Sequence, residues 1–241
     1  MPDHHHPADR TRSVLDRCRD LGFAAAGICR AEPSAHADAF RAWLDAGYHG
    51  SMAWLADHVD TRLDPRRLLP GARSIIVVAD RYAGPGVDPP LPPTHGRIAR
   101  YARGRDYHTV IKKRLFILTD ALRDAHPDAE CKVCVDTAPL LEREHAARAG
   151  LGAVGKHTLL IQPGLGSYLL LGAVVTTLDL EPTPAETRDV CASCTRCIDA
   201  CPTDAITPWS VDATRCISYL TIEHRDDIEP DLGAAFSGWV F

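Results

Sequence analysis

No run of about 18 consecutive apolar residues occurs anywhere in the 241-residue chain, which excludes a membrane-spanning helix of ordinary length. The opening Met-Pro-Asp-His-His-His has neither the basic segment nor the apolar segment of a secretory signal, so a cytoplasmic location is expected. His4, His5 and His6 are metal-ligand types, but a polar terminus is the simpler reading. A positive balance is also lacking: the formal net charge is −5, which by itself does not suggest a nucleic-acid protein. There is no internal repeat and no low-complexity block. Hydrophobic residues make up 45% of the chain, an ordinary globular value. A chain of this size buries roughly 70–75% of its unfolded surface, enough to enclose a cofactor-sized pocket.

The acidic balance is uneven. Arg97, Arg100, Arg103, Arg105, Lys112, Lys113 and Arg114 face a single acid, Asp106, whereas Glu223 to Asp231 is acidic. A basic stripe of this kind either attracts phosphate or forms a solvated face, and the pattern alone does not choose between them.

Hydrophobic periodicity organises the first three quarters of the chain. Helices are expected over 9–21, 35–46 and 52–60, over 106–125, where Tyr107, Val110, Ile111, Leu115, Leu118 and Leu122 recur every three or four residues, and over 139–149. Strands are expected over 23–29, 74–79, 130–135, 158–162 and 168–178, and the Pro- and Gly-rich 83–96 reads as a loop. The alternation favours an α/β domain over residues 1–182. Residues 181–186 read as a linker to a small cysteine-rich domain over 183–241.

Nine cysteines without an export signal argue for metal ligation over disulfides where they cluster. Residues 191–202 read Cys-Ala-Ser-Cys-Thr-Arg-Cys-Ile-Asp-Ala-Cys-Pro, the ligand run of a 4Fe–4S cluster, and this points to an iron–sulfur oxidoreductase. Zinc is the weaker alternative, because its sites use separated cysteine pairs or include histidine. Cys191, Cys194 and Cys197 suit one cluster. In two-cluster ferredoxins the cysteine in the position of Cys201 ligates the other. Two clusters need eight cysteines, and this region supplies five: Cys191, Cys194, Cys197, Cys201 and Cys216. The chain is therefore expected to be a fragment of a longer protein. Cys131 and Cys134 fall in an expected strand, where positions three apart face opposite ways, so they read as packing residues, as do Cys18 and Cys29.

Gly150-Leu-Gly-Ala-Val-Gly155 imitates a dinucleotide fingerprint, and Lys156 adds a hint of a phosphate loop. Both motifs require a strand before and a helix after; here the expected order is reversed. The glycines are better read as a tight turn that presents Lys156, His157 and Thr158.

Several segments together resemble the epoxyqueuosine reductase family. They are Arg-Leu-Asp-Pro-Arg-Arg-Leu-Leu-Pro-Gly-Ala-Arg (62–73), Tyr-Ala-Arg-Gly-Arg-Asp-Tyr-His (101–108), Val-Asp-Thr-Ala-Pro-Leu-Leu-Glu-Arg (135–143), Ala-Gly-Leu-Gly-Ala-Val-Gly-Lys-His-Thr-Leu-Leu-Ile (149–161), Gly-Ser-Tyr-Leu-Leu-Leu-Gly (166–172) and Arg-Cys-Ile-Ser-Tyr-Leu-Thr-Ile-Glu (215–223). The resemblance implies a mixed α/β cobalamin-binding domain followed by a ferredoxin-like domain with two 4Fe–4S clusters. It implies reduction of an epoxide on a modified base at the tRNA wobble position. The family's second cysteine half-motif and its C-terminal helical repeats have no counterpart here, so the ferredoxin-like part is expected to be incomplete.

The resemblance also suggests roles. Asp136 matches the family's proton donor, Arg62 and Tyr101 match corrin-contacting positions, and His157 and Thr158 are expected near the corrin. The basic stripe would guide the anticodon stem-loop, with the target base turned out of its stack. An external donor such as a ferredoxin or flavodoxin would supply electrons. One tension stands out: Asp136 precedes an expected helix and so resembles a helix cap, and the positive end of a helix favours carboxylate over acid by about 0.3–1 kcal/mol. The rival readings are a reductive-dehalogenase-like enzyme with the same cofactors, a plain ferredoxin-type electron carrier, and an inactive truncated remnant.

Overall fold

A computed structural model describes residues 6–84, 86, 88–92, 94–185, 189–236 and 238–241. His4, His5 and the last residue of the 181–186 segment lie outside the described residues. His6 caps the first helix, its Nδ1 accepting from the Ala8 amide at 3.3 Å.

The chain runs through α1 (Pro7–Asp20), β1 (Ala25–Arg30), α2 (Ala37–Asp45), the short α3 (Val59–Leu63) and α4 (Pro65–Leu68), and β2 (Ser74–Arg81). It continues through α5 (Tyr107–Ala125), β3 (Cys131–Cys134), α6 (Glu142–Arg148), the small pair β4 (Ala153–Val154) and β5 (Leu160–Ile161), and β6 (Leu169–Thr176). The cysteine-rich part adds α7 (Arg196–Asp199), the ribbon β7 (Ile206–Thr207) and β8 (Ser210–Val211), α8 (Ile217–Ile222) and α9 (Pro230–Ala234).

The main sheet has the order β1-β2-β6-β3, with every neighbouring pair antiparallel. β2 is buried on both faces, as its unbroken Ile-Ile-Val-Val run demands. Its side chains alternate: Ile75, Val77 and Ala79 pack towards Leu140, Ala146 and Leu151 on the α6 side, while Ile76 and Val78 pack towards Val14, Cys18, Leu115 and Leu118 of α1 and α5. Cys134 joins the first layer with Cys29, and Cys131 lies against the second with Cys18. Burial pushes the thiols of Cys18, Cys29 and Cys134 up to about 12, consistent with packing residues.

Two expected helices differ. The 52–60 segment splits into a 3₁₀ turn at Ala53–Leu55 and α3, because His58 between them is left-handed (φ 57°). The 139–149 helix begins only at Glu142, since 135–141 is a chain of tight turns: Thr137 donates its amide to the Val135 carbonyl at 2.7 Å and Leu140 to that of Ala138 at 2.8 Å. Leu140 is thereby driven into the core.

The 181–186 segment is not free of the sheet. Thr183 Oγ1 accepts from the Ile28 amide at 2.9 Å, and its own amide donates to the Ile28 carbonyl at 2.9 Å. The cysteine-rich part is docked on the rest: Tyr219 Oη accepts from the Ser51 amide at 2.8 Å, and Trp43 Nε1 donates to the Val211 carbonyl at 2.8 Å. Gly50 is required here, because it is left-handed (φ 58°) and a Cβ would stand 2.6 Å from the Tyr219 ring.

His145 is only 1% exposed beneath the sheet, and burial pulls its imidazole down to about 4. The unfolded chain therefore binds a proton at this residue between about pH 6.5 and 4 that the folded chain does not. Stability should fall as pH drops through that window, by at most about 3 kcal/mol from this residue. Urea unfolding of the parent and His145→Leu at pH 7 and 4.5 should show a shallower acid loss in the variant; equal losses would refute the assignment.

Candidate active site

Asp136 follows β3 after one intervening residue, Val135, in the left-handed region (φ 58°). Antiparallel pairing to β6 ends at Cys134↔Ala173, and the chain turns outward there. The Asp136 amide donates to Glu142 Oε1 at 3.0 Å, which ties the corner to the first residue of α6. Asp136 is therefore not the cap of that helix: the cap position is Leu141, with no side-chain bond, and the Asp136 carboxyl is free to face outward, 59% exposed. This removes the helix-cap reading.

Its partner comes from α5. His108 Nε2 lies 3.1 Å from Asp136 Oδ2, and His108 Nδ1 lies 2.8 Å from Asp106 Oδ1. Asp106 also caps α5, accepting from the His108 amide at 2.9 Å and the Thr109 hydroxyl at 3.0 Å. Three side chains thus form a line, Asp106–His108–Asp136. Burial pulls the His108 imidazole down, but the two carboxylates more than reverse this, so its pKa stands above the ordinary value. Tyr107 stacks on the His108 ring at 4.0 Å, and Tyr101 meets Tyr107 edge-on at 6.4 Å. Burial, followed by the Asp136 charge, raises both phenols. Burial also pushes the Glu142 carboxyl up to about 7.

The next residue along α6, Arg143, extends the site. It donates to the Thr158 carbonyl at 3.0 Å and to Thr158 Oγ1 at 3.1 Å, holding a left-handed residue (φ 66°) in the turn between β4 and β5. His157, beside it, accepts from the Leu159 amide at 3.1 Å, and burial followed by the Arg143 charge lowers its pKa. Tyr101, Asp136, His157 and Thr158 are therefore linked by contacts through Tyr107, His108, Glu142 and Arg143. Arg62 is not among them. It lies on α3, its guanidinium 5.9 Å from the Trp54 ring, with a buried Nε that has no hydrogen-bond partner among the described residues.

The glycine turn at 150–155 presents Lys156 differently from the expectation. Lys156 is buried and reaches the cysteine loop, where Nζ donates to the carbonyls of Ala192 at 2.8 Å and Cys194 at 3.1 Å, and its amide donates to Cys191 Sγ at 3.3 Å. Asp189 Oδ1 accepts from the amides of Cys191 at 2.8 Å and Ala192 at 3.1 Å. Cys197 lies on α7, Cys201 just past it, and Cys216 at the start of α8. Cys201 Sγ accepts from the Ala205 amide at 3.3 Å; burial raises this thiol, but amide and hydroxyl bonds outweigh that and leave it lowered. Among the described residues, no three His, Cys, Asp or Glu side chains converge closely enough to hold a single metal ion.

The basic stripe divides. Arg103 grips Asp88 with two bonds of 2.9 and 2.8 Å, Arg100 donates to the Gly86 carbonyl at 2.7 Å, Arg114 pairs with Asp80, and Arg97 stacks 5.2 Å from the Trp239 ring. Those four hold the fold together. Among the described residues, Arg105, Lys112 and Lys113 form no ion pair. His108, Asp106 and Glu142 were not singled out as functional by sequence reasoning, although each lies inside a segment that carries the family resemblance.

Comparison with known proteins bears on the family of the chain. The family model described as epoxyqueuosine reductase QueG, DUF1730, matches residues 62–137, and that of a 4Fe–4S double cluster binding domain matches residues 190–241. An epoxyqueuosine reductase from Leadbetterella byssophila is 39% identical over 234 residues, covering 97% of this chain and 76% of that protein. A crystal structure of epoxyqueuosine reductase with a tRNA-Tyr epoxyqueuosine-modified stem loop superposes with a TM-score of 0.80 at 33% identity, over 87% of this chain and 56% of that one. A Bacillus subtilis epoxyqueuosine reductase, whose structure has its aspartate catalytic loop swung out of the active site, gives a TM-score of 0.85 at 30% identity, over 95% and 61%. This chain thus spans about three quarters of the relative's sequence and less than two thirds of the solved chains. On identity, coverage and fold together, it belongs to the epoxyqueuosine reductase family.

Proposed function

We propose that this chain reduces the epoxide of epoxyqueuosine in tRNA to the alkene of queuosine, with Asp136 giving the proton to the departing oxygen. The observation that carries this reading is the outward-facing Asp136 carboxyl, held in a left-handed corner by Glu142 and not engaged as a helix cap. The likeness to a solved relative described with an aspartate on its catalytic loop supports it. Residues 1–182 form the catalytic part and 183–241 the ferredoxin-like part. A plain electron carrier does not account for the similarity across 97% of the chain.

Losing an epoxide oxygen as water takes two electrons and two protons. Cobalamin, when bound, would supply a cobalt centre able to pass electrons to carbon, and 4Fe–4S centres would supply one-electron transfer from an external ferredoxin or flavodoxin. The residues present fit a corrin and one 4Fe–4S cluster; for a second cluster three of the eight cysteines are lacking. The buried, unpartnered Arg62 Nε is a donor waiting for a ligand acceptor. Tyr101, Asp136, His157 and Thr158 form the rest of the corrin contact. Cys191, Cys194, Cys197, Cys201 and Cys216 are the cluster ligands, and the amide bond to the Cys201 sulfur favours its thiolate. Arg105, Lys112 and Lys113 remain to meet phosphates of the anticodon stem-loop. Acting on tRNA, the protein works in the cytoplasm.

The test is anaerobic reconstitution with iron, sulfide and hydroxocobalamin, followed by metal counts and an assay on epoxyqueuosine-containing tRNA. Asp136→Asn should keep iron, cobalt and tRNA binding but slow queuosine formation roughly 10²–10⁴-fold. An unimpaired variant would remove Asp136 from the chemistry, and a fully loaded parent that makes no queuosine would sink the reading. Lys156→Met should loosen the cysteine loop, since each of its charged hydrogen bonds contributes about 1.5–3 kcal/mol. Less iron should survive desalting, whereas unchanged retention would show that Lys156 does not support the cluster.

A further inference from the structure

A carboxyl group that must deliver protons near neutral pH needs a neighbour that holds one there. Imidazole does so, and carboxylates ordinarily do not. Resting on the functional reading above, we propose that His108 is the proton store of the site: its imidazolium reloads Asp136 through Nε2 after each proton is given to substrate, while Asp106 fixes the ring through Nδ1.

The geometry supports each part. His108 is the only side chain bonded to the Asp136 carboxyl among the described residues, at 3.1 Å. Asp106, held by its own cap bonds to the start of α5, fixes the other nitrogen at 2.8 Å. With Nδ1–H committed to Asp106, Nε2 is the atom that gains and loses the mobile proton. The ring is clamped flat against Tyr107, yet the side chain is 30% exposed, so solvent can restore the proton. Imidazolium beside carboxylate and imidazole beside carboxylic acid are the same pair with one proton moved. The acid form is therefore reached without burying Asp136.

The steps balance. Asp136 O–H breaks as the O–H bond to the epoxide oxygen forms; His108 Nε2–H then breaks and Asp136 O–H re-forms. Neutral His108 takes the next proton from water, and a second pass supplies the second proton of the reaction. The electrons come from the one-electron donor already named. The other charged or titratable groups around the pair are Glu142 and Arg143 from α6, Tyr101 and Tyr107. Glu142 bonds the Asp136 amide and not its carboxyl, so its protonation changes the loop anchor and not the relay.

Two experiments test this, one of which needs no cofactor. In the chain labelled with ¹⁵N-histidine, with His108→Gln identifying the signal, the His108 titration midpoint should fall by about 0.5–1 pH unit in both Asp106→Asn and Asp136→Asn. Asparagine still caps α5, so the fold is kept. An unmoved midpoint in either variant would overturn the proposal. In loaded enzyme under single turnover, the parent rate should fall as pH rises through that midpoint, because the imidazolium is the store. His108→Gln should be slowed about 10–100-fold, lose that limb, and regain rate with added imidazole. A His108→Gln enzyme with the parent rate and profile would refute the relay. A loaded parent that makes no queuosine would refute the functional reading alone, and the titration would still decide the pair.

Discussion

The pairing of β2 with β6, eight residues long and covered on both faces, is the constraint from which the site follows. A strand with no polar face cannot slip by one residue without exposing a different set of side chains, and here both sets are buried. The register therefore fixes where β3 lies against β6 and where it ends. The outward turn at Asp136 sits two residues past the last β3–β6 pair, and α6 returns over the same face to place Glu142 against its amide. The Asp136 corner is thus set by the sheet, with the loop supplying only the left-handed step.

A second consequence concerns the cysteine-rich part. In sequence it reads as an appended module behind a linker. In space it leans on the first part at separate places: Tyr219 on Ser51, Val211 on the Trp43 indole, and the cysteine loop on Lys156. Lys156 is the informative case. The glycine turn that resembles a nucleotide motif instead delivers a buried ammonium to carbonyls of the cluster-ligand loop, which ties the proposed electron path to the α/β part through charged hydrogen bonds. Thr183 straps the connecting segment to β1, so the segment has little freedom where it leaves the sheet.

Charge is distributed by the same logic. The basic stripe looks uniform along the chain, yet Arg97, Arg100, Arg103 and Arg114 fold back onto carbonyls, carboxylates and rings. An arginine with a bidentate carboxylate partner is a structural tie. Only the members without such a tie remain for phosphate, so the electrostatic footprint is smaller than the count of basic residues implies.

Local pattern alone determined the strands, because a run such as Ile75-Ile76-Val77-Val78 has nowhere to go but a doubly covered sheet. It also determined α5, whose apolar stripe repeats for five turns, and the cysteine run, whose spacing is itself the chemistry. The family resemblance singled out Asp136. What the sequence did not reveal depends on residues far apart meeting. The helix after Pro139 starts late because Asp136 is left-handed and Leu140 is drawn into the core, and neither follows from local propensity. His108 and Asp136 are 28 residues apart, and only the packing of α5 beside β3 brings imidazole to carboxyl. The contact of His108 with Asp136 was therefore decided by tertiary structure: a spacing along the chain can specify ligands on one loop, but a hydrogen bond between two elements exists only once the sheet has set them side by side.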